Sequence, residues 1–161
     1  MSRRMRKLPE SSTAVKGVMA EIRKDGLYVV PRNSTVGVKE IYGQELILDL
    51  HGCDATKFTR SLIERFCIEL CDLIDMERSD LHFWDDVGVP EEERQTDPKT
   101  KGTSAVQFIL TSTIVIHTLD LMKAVYVNIF SCKEFDTDEA AEFTANWFDS
   151  KDWTKQVVTR R

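Results

Sequence analysis

The chain has 161 residues and a formal net charge of −5 at pH 7, and its length suits one domain with its own hydrophobic core. The acidic balance argues against a nucleic-acid partner, because phosphate binding needs a clustered basic surface. No stretch approaches the roughly 20 apolar residues of a membrane span, so we expect no membrane partner either.

The N-terminal region divides into a tail and the start of the domain. Residues 1–16 are predicted to be a disordered tail with basic residues clustered at 3–7, and residues 17–161 to be a single domain. The basic cluster resembles a twin-arginine export signal, but no apolar stretch of roughly 7–15 residues follows it, so we expect a cytoplasmic protein. From Val18 to Val30 a mixed pattern, with a break at Gly26, predicts a short helix and then a short strand.

We expect the cysteines to be reduced thiols, because we expect no secretion signal. Cys67 and Cys71 are four residues apart on a predicted helix, the spacing of two small buried hydrophobic residues. Together with Cys53 and Cys132 they match no zinc-binding pattern. The sequence therefore predicts no metal site.

The first clear element is an apolar strand at 45–50, which ends in a turn at Gly52. Asp54 is the predicted N-cap of the helix that follows. Apolar residues then recur every three to four positions and predict an amphipathic helix of roughly 57–76. Its apolar stripe consists of Phe58, Leu62, Ile63, Phe66, Cys67, Leu70, Cys71, Leu73 and Ile74.

The second half of the chain is predicted to be mainly strand. A short strand at 81–84 is followed by a polar, exposed loop over 85–102. Three strands come next, at 105–110, 113–118 and 124–130, and their short connections favour an antiparallel meander.

The last predicted element is a helix capped by Asp136 or Asp138. Its apolar face consists of Ala140, Phe143, Trp147 and Phe148. The order of the elements predicts an α+β fold, a two-layer sandwich of a mainly antiparallel sheet with helices on one face.

Polar residues that can carry chemistry concentrate between 104 and 132, along predicted strands. A serine, a histidine and a cysteine near strand ends could form a nucleophile and an acid–base pair. Strands also commonly carry serine and threonine, and a lone strand histidine is usually structural, so the residues alone leave both interpretations open. The set consists of Ser104, Thr111, Ser112, Thr113, His117 and Cys132.

The spacing of four of these residues resembles that of the bacterial and archaeal S-adenosylmethionine decarboxylases. In that family a cleavage-site serine is followed by a histidine five residues later and a cysteine twenty residues later, and another serine precedes it by eight. Ser112, His117, Cys132 and Ser104 occupy these positions without a gap. With the turn at 52–54, the resemblance runs from about residue 44 to 149.

The resemblance implies a pyruvoyl-dependent decarboxylase of polyamine biosynthesis that cleaves itself between Thr111 and Ser112. Its cofactor would be the pyruvoyl group left by Ser112, which forms a Schiff base with the amine of a small amino-acid-type substrate, S-adenosylmethionine. Ser104 and His117 would assist processing, and Cys132 would be the proton donor, a role open to a thiol with a pKa of about 8.5. The resemblance also implies a homodimer of processed protomers.

Simple strand geometry constrains this assignment. Positions 112 and 117 differ by an odd number, so a regular strand directs them to opposite faces, and a shared site needs a bulge or turn near Ser112. A hairpin that turns near 111–112 would bring Ser104 and His117 together across the strands.

The chain departs from the family pattern around the cleavage serine and after the histidine. Thr111 and Thr113 stand where the family has glutamate and histidine. The family's His-Thr-Trp-Pro-Glu run, whose tryptophan and glutamate are associated with nucleoside binding, appears at 117–121 with Leu119, Asp120 and Leu121 in its last three places, so that only Asp120 could stand in for the glutamate.

Two alternatives stay open because of these departures. One is decarboxylation of ornithine or arginine, whose cationic end would be recognised by acidic residues, with Trp84, Asp85 and Asp86 as candidates. The other is a non-cleaving, non-catalytic binding homologue.

Overall fold

A computed structural model describes residues 40–161, which form one compact unit. The predicted tail at 1–16, its boundary at residue 17 and the predicted elements at 18–30 lie outside the described residues. The six strands are β1 (Gly43–His51), β2 (Arg78–Trp84), β3 (Gly102–Ile109), β4 (Ser112–Leu119), β5 (Ala124–Ser131) and β6 (Asp152–Arg160). The two α-helices are α1 (Arg60–Leu73) and α2 (Thr137–Trp147), and short 3-10 turns lie at Ala55–Lys57 and Glu91–Glu93.

The strands form one antiparallel sheet in the order β2-β3-β4-β5-β1-β6. Tight turns join β3 to β4 and β4 to β5, as the short connections between the predicted strands indicated. The first strand, β1, lies between β5 and β6. The predicted α+β fold, a mainly antiparallel sheet with helices on one face, is confirmed.

The hydrophobic core lies between the helices and one face of the sheet, which we call the helix face. Alternate strand residues point into it and are fully or almost fully buried, as the two-residue period of a strand requires. They include Leu46, Leu48 and Leu50 of β1, Ile114 and Ile116 of β4, and Val125, Val127 and Ile129 of β5. The opposite, open face carries the other alternate residues, most of them half-buried.

Helix α1 supplies Ile63, Phe66, Cys67, Leu70 and Cys71 to this core. Phe66 is fully buried and touches three aromatic rings of the α2 region, those of Phe143, Trp147 and Phe148, with ring centroids 5.0–5.9 Å apart. This aromatic cluster joins the two helices over the sheet.

The helix starts differ in part from the predicted ones. Asp54 caps the 3-10 turn that follows it, by accepting from the Thr56 N–H. Thr59 is the N-cap of α1, since its hydroxyl accepts from the Leu62 N–H. Asp136, one of the two predicted candidates, caps α2.

Strand β6 has no counterpart among the predicted elements. It is an edge strand with one neighbour, β1. The residues that it packs against the core, such as Trp153 and Val157, are only half-buried. Most other residues of β6 are polar, so the apolar alternation that predicts a strand is weak in its sequence. Its backbone pairing with β1 holds the strand in place.

We expect Phe66→Ala to lower the free energy of unfolding by about 3–5 kcal/mol, because it empties the centre of the aromatic cluster. Chemical denaturation monitored by circular dichroism measures the change. Ile68→Ala is the matched control on the exposed side of the same helix, and we expect a change of about 0.5 kcal/mol or less. Equal losses in the two variants would contradict this description of the core.

Candidate active site

Ser112 is the first residue of β4 and follows a two-residue turn made by Leu110 and Thr111. Thr111 has a φ of 56°, in the left-handed region that a β-branched residue rarely adopts. The turn is held from outside the hairpin, since the Leu110 N–H donates to the Glu77 carbonyl at 3.1 Å. The peptide bond that enters Ser112 is therefore preceded by a strained residue in an anchored turn.

Cys132 lies beside this turn because β4 and β5 are paired. Thr113 is opposite Phe130, so the residue that follows β5 reaches the start of β4. The Cys132 N–H donates to the Ser112 hydroxyl at 3.3 Å, and the sulfur lies 3.4 Å from Thr111 Oγ1 and 4.0 Å from Ser112 Oγ. Ser112 is buried and Cys132 is exposed.

The thiol of Cys132 is tuned by these hydroxyls. Hydrogen bonding to the Thr111 hydroxyl is the main cause that lowers the pKa of Cys132, and hydrogen bonding to the Ser112 hydroxyl is the second. The other three cysteines are buried, and burial raises the pKa of Cys67 to about 12 and that of Cys71 to about 11. Cys132 is thus the reactive thiol among the described residues.

Ser104 and His117 form a second pair. They are directly opposite each other on β3 and β4, and Ser104 Oγ lies 2.8 Å from His117 Nδ1. Both belong to the open face of the sheet, since their strand neighbours Ala105 and Ile116 are buried on the helix face. The approach of Ser104 to His117 across a hairpin agrees with the sequence prediction.

The Ser112–Cys132 pair and the Ser104–His117 pair do not meet within one chain. Strand β4 keeps a regular register with β3 from Ser112 to Leu119 and with β5 from Thr113 to Leu119, so Ser112 and His117 are directed to opposite faces. Five residue steps along a strand separate them by about 16 Å. The bulge that a shared site would need near Ser112 is not found in β4.

A shallow pocket of about 490 Å³ opens at the Ser112 end of the sheet. Its lining joins Ser112 and the turn to open-face side chains of β3, β4 and β5, namely Phe108, Thr113 and Phe130. Ser79 lines it as well, at an irregularity of β2 between Arg78 and Leu81.

Gln107 holds this irregular stretch of β2. Its side chain is fully buried on the helix face, and its amide group donates to the carbonyls of Ser79 and Asp80 at 2.9 and 3.3 Å. The pocket wall at the sheet edge therefore depends on a buried polar side chain.

Asp85 and Asp86, the acidic candidates for binding a cationic substrate, already have hydrogen-bond partners within the chain. Arg60 donates to both carboxylate oxygens of Asp85, at 2.6 and 2.7 Å, and lowers the pKa of Asp85. Asp86 accepts from the Gln95 N–H at 2.9 Å. Asp85 is thus unsuited to recognise a cationic substrate, and Trp84 is the last residue of β2, in agreement with the predicted strand.

Asp120 follows β4 in the turn at the His117 end of the sheet. Burial raises its pKa, and the charge of Asp86 acts in the same direction. It lines a polar pocket of about 500 Å³ with Asp86, Lys101 and others. This pocket lies at the opposite end of β4 from Ser112.

One contact was missed by sequence reasoning, namely that of the Thr111 hydroxyl with the Cys132 sulfur. Its only signal was the position of Thr111 next to Ser112. Within residues 40–161, no group of three or more histidine, cysteine or acidic residues is arranged to hold a metal ion. No helix in the same range is long and apolar enough to cross a membrane.

Comparison with known proteins places this geometry in a family. The crystal structure of the adenosylmethionine decarboxylase from Aquifex aeolicus VF5 has a similar fold, with a TM-score of 0.60 and 20% sequence identity over 75% of this chain and 92% of that chain. A search of curated proteins finds no match. The sequence model of S-adenosylmethionine decarboxylase matches residues 44–161. The chain therefore belongs to the S-adenosylmethionine decarboxylase family.

Proposed function

We propose that the protein is a pyruvoyl-dependent decarboxylase of S-adenosylmethionine that cleaves itself between Thr111 and Ser112. Family membership implies carboxy-lyase activity and supports the proposal to that extent. The observation that carries the proposal is the peptide bond into Ser112, which follows a residue with positive φ and lies beside an exposed thiol. The substrate rests on the family alone.

Self-cleavage requires the hydroxyl of Ser112 to attack the carbonyl carbon of Thr111. The C–N bond breaks as the C–O bond forms, which converts the amide to an ester and frees the amine of residue 112. β-Elimination then breaks the Cβ–Oγ bond, and Thr111 leaves as a carboxylate. Water replaces the nitrogen of the remaining dehydroalanine, so that ammonia departs and residue 112 becomes a pyruvoyl group. The positive φ of Thr111 favours the first step, because leaving the turn geometry relieves backbone strain.

The residues around position 112 fit such a group. A pyruvoyl ketone supplies an electrophile that captures an amine and accepts the electrons released with carbon dioxide. Cys132 borders the same position and can return a proton to the substrate carbon, because its sulfur is exposed and lies 4.0 Å from Ser112 Oγ. The pocket lined by Phe108, Thr113 and Phe130 would hold the substrate beside it.

We propose further that the protein is a homodimer in which Ser104 and His117 act on the Ser112 of the partner chain. Within one chain the two pairs are about 16 Å apart along β4 and on opposite faces. An enzyme that needs both pairs must therefore obtain one of them from a second copy. Cutting the chain frees residue 112 from the turn and lets it face the pocket on the open side.

A two-fold axis supports this arrangement. If the axis lies between two open faces and runs perpendicular to the strands, it reverses the strand direction of one sheet relative to the other. The His117 end of one sheet then covers the Ser112 end of its partner, and two equal sites form. The open face offers apolar side chains for such a contact, with Phe108 44% exposed and Phe130 half-buried.

Ser112→Ala should abolish cleavage, because the attacking hydroxyl is lost. Mass spectrometry of purified wild-type protein should give two fragments, with a blocked N-terminus at position 112, and the variant should give one intact chain. Hydrazine should label only the wild-type fragment 112–161.

Thr113→Ala is the matched control, a neighbouring hydroxyl on the other face of β4, and should still be cut. A wild-type chain that stays intact on long incubation would support a non-catalytic homologue. Release of carbon dioxide from labelled S-adenosylmethionine, ornithine and arginine then measures substrate choice among enzymes that cleave.

Co-expression tests whether the two pairs act across a dimer. We expect His117→Ala and Ser112→Ala chains to remain uncut when each is made alone. Made together with different tags, they form mixed dimers in which the Ser112 of one chain meets the His117 of the other. In mixed dimers isolated through both tags, the His117→Ala chains should then be cut and the Ser112→Ala chains should stay intact, as measured by mass spectrometry.

The control is co-expression of His117→Ala with the Ser112→Ala/His117→Ala double variant, which should give no cleavage. Mixed dimers that contain only intact chains would show that the pairs do not act on each other in trans. Normal cleavage of His117→Ala alone would exclude the histidine from processing.

The pH dependence of Cys132 follows from its hydroxyl partners. A lowered pKa means that the thiolate forms at a lower pH than in an ordinary cysteine, so a thiol that acts as proton donor loses activity at a correspondingly lower pH. In the uncut Ser112→Ala chain, Thr111→Val should raise the pH midpoint of Cys132 alkylation by iodoacetamide, because the hydroxyl partner is removed. Peptide mass spectrometry measures the rate, with buried Cys67 as the unreactive internal reference. An unchanged midpoint would mean that Thr111 does not tune the thiol.

A further inference from the structure

The thiol of Cys132 is carried by residues 131–133, which we call the thiol strap. Strand β5 ends at Ser131, so Cys132 lies beyond the last residue that is paired in a ladder. Sheet pairing therefore brings the thiol to the right end of the sheet but does not fix its exact position. The path of the strap decides how far the sulfur lies from the hydroxyls of Thr111 and Ser112, which is 3.4 and 4.0 Å.

Gly43, the first residue of β1, lies against the thiol strap and is buried. A side chain at this position would place its Cβ 2.7 Å from the Cys132 Cα and 3.0 Å from the Ser131 carbonyl carbon, and closer still to the carbonyl oxygen of Ser131. Carbon atoms in contact lie roughly 3.5–4.0 Å apart. Because the clashing atoms belong to the backbone, rotation of a side chain cannot relieve the clash, and the strap itself would have to move.

Side-chain hydrogen bonds hold the thiol strap in place. The Ser131 hydroxyl, which is almost fully buried, accepts from the Lys133 N–H at 3.0 Å and donates to the Lys133 carbonyl at 2.8 Å. The Lys133 ammonium donates to the Asp75 carbonyl at 2.6 Å and pairs with its carboxylate. Just beyond the strap, the Gln44 side chain donates to the Phe135 carbonyl at 2.8 Å. These bonds keep the strap against β1, so its path depends on the room that Gly43 leaves.

We propose that Gly43 is a positioning residue for the Cys132 thiol. Because it has no side chain, the strap can cross the start of β1 at the point where the sulfur meets the Thr111 hydroxyl. The same path lets the Cys132 N–H donate to the Ser112 hydroxyl at 3.3 Å. Gly43 has no group that could react, so it acts only through Cys132. The role of Cys132 as proton donor rests on the proposed function, whereas its position is a property of the uncut chain.

Alkylation of Cys132 by iodoacetamide reports the position of the thiol without catalysis. In the uncut Ser112→Ala chain, we expect Gly43→Ala to raise the pH midpoint of alkylation. The displaced sulfur loses the Thr111 hydroxyl, which favours the thiolate. The rise should be comparable to the one that Thr111→Val causes, with peptide mass spectrometry as the measurement. A midpoint that Gly43→Ala leaves unchanged would overturn the inference.

A double-variant cycle separates positioning from a general loss of structure. If Gly43 acts through the contact between Thr111 and Cys132, the two substitutions remove the same interaction. Gly43→Ala should then add no further rise in the alkylation midpoint once Thr111→Val is present. Rises that add in the double variant would mean that the two positions act independently, and would contradict the positioning role.

Gly102→Ala is the matched control, because it is the same substitution at another close approach of two strands. A Cβ at Gly102 would lie 2.7 Å from the Thr118 carbonyl carbon and 3.1 Å from the Leu119 Cα, at the opposite end of β4. Both glycine variants should lower the midpoint of chemical denaturation. Only Gly43→Ala should raise the alkylation midpoint of Cys132. Equal rises in the two variants would show that the thiol responds to lost stability alone, which would reject the inference.

Ser131→Ala tests the same strap if Gly43→Ala does not fold. It removes the hydroxyl that binds both backbone groups of Lys133 and inserts no new atom. We expect it to loosen the strap and to raise the alkylation midpoint of Cys132 in the Ser112→Ala chain. An unchanged midpoint in a folded Ser131→Ala chain would show that the position of the thiol does not depend on the strap, and Gly43 would then have no positioning role.

Turnover gives a second readout if the wild-type protein decarboxylates S-adenosylmethionine. Gly43→Ala should lower kcat per cut chain about tenfold or more with KM changed less than about threefold, because the proton donor moves while the pocket keeps its lining. An unchanged kcat in a variant whose alkylation midpoint has risen would reject Cys132 as the proton donor and would still support the positioning role of Gly43. A wild-type chain that is never cut would reject the proposed function, and the alkylation midpoints would still decide the inference.

Discussion

The register of β3, β4 and β5 is the constraint on which the candidate site depends. These strands are paired without interruption, so each residue number specifies a face and a position along the sheet. Ser112 and Cys132 meet because both lie at one end of the β4–β5 pair. Ser104 and His117 meet because they are opposite each other farther along β3 and β4. A shift of one residue between β3 and β4 would separate Ser104 from His117, and a shift between β4 and β5 would separate Ser112 from Cys132. Either shift would also turn the apolar side of one strand away from the core.

Position 111 shows how a departure from the family pattern changes local chemistry. A carboxylate side chain there, as in the resembling enzymes, would oppose a negative charge on the neighbouring sulfur. Thr111 brings a neutral hydroxyl within 3.4 Å instead, and hydrogen bonding then favours the thiolate of Cys132. The acid–base behaviour of Cys132 is therefore coupled to the residue that precedes Ser112.

Most of the fold could be predicted from periodicity, and the parts that could not have physical causes. The apolar stripe of α1 and the alternation in β4 and β5 are strong because these elements pack on the core. Strand β6 was missed because an edge strand needs few apolar residues. The spacing of Ser104 and His117 allowed their pairing to be predicted, whereas the contact between Thr111 and Cys132 depends on a register that no local pattern reveals.

The position of β1 in the sheet has a consequence for the integrity of a cut chain. A break after residue 111 leaves β1, β2 and β3 on one fragment and β4, β5 and β6 on the other. Because β1 is hydrogen-bonded to β5 on one side and to β6 on the other, the two fragments alternate within a single sheet. Neither fragment can leave without breaking three ladders, those of β3 with β4, β1 with β5 and β1 with β6, together with the core beneath them. Severing the backbone therefore leaves a noncovalent heterodimer that stays together as one folded body.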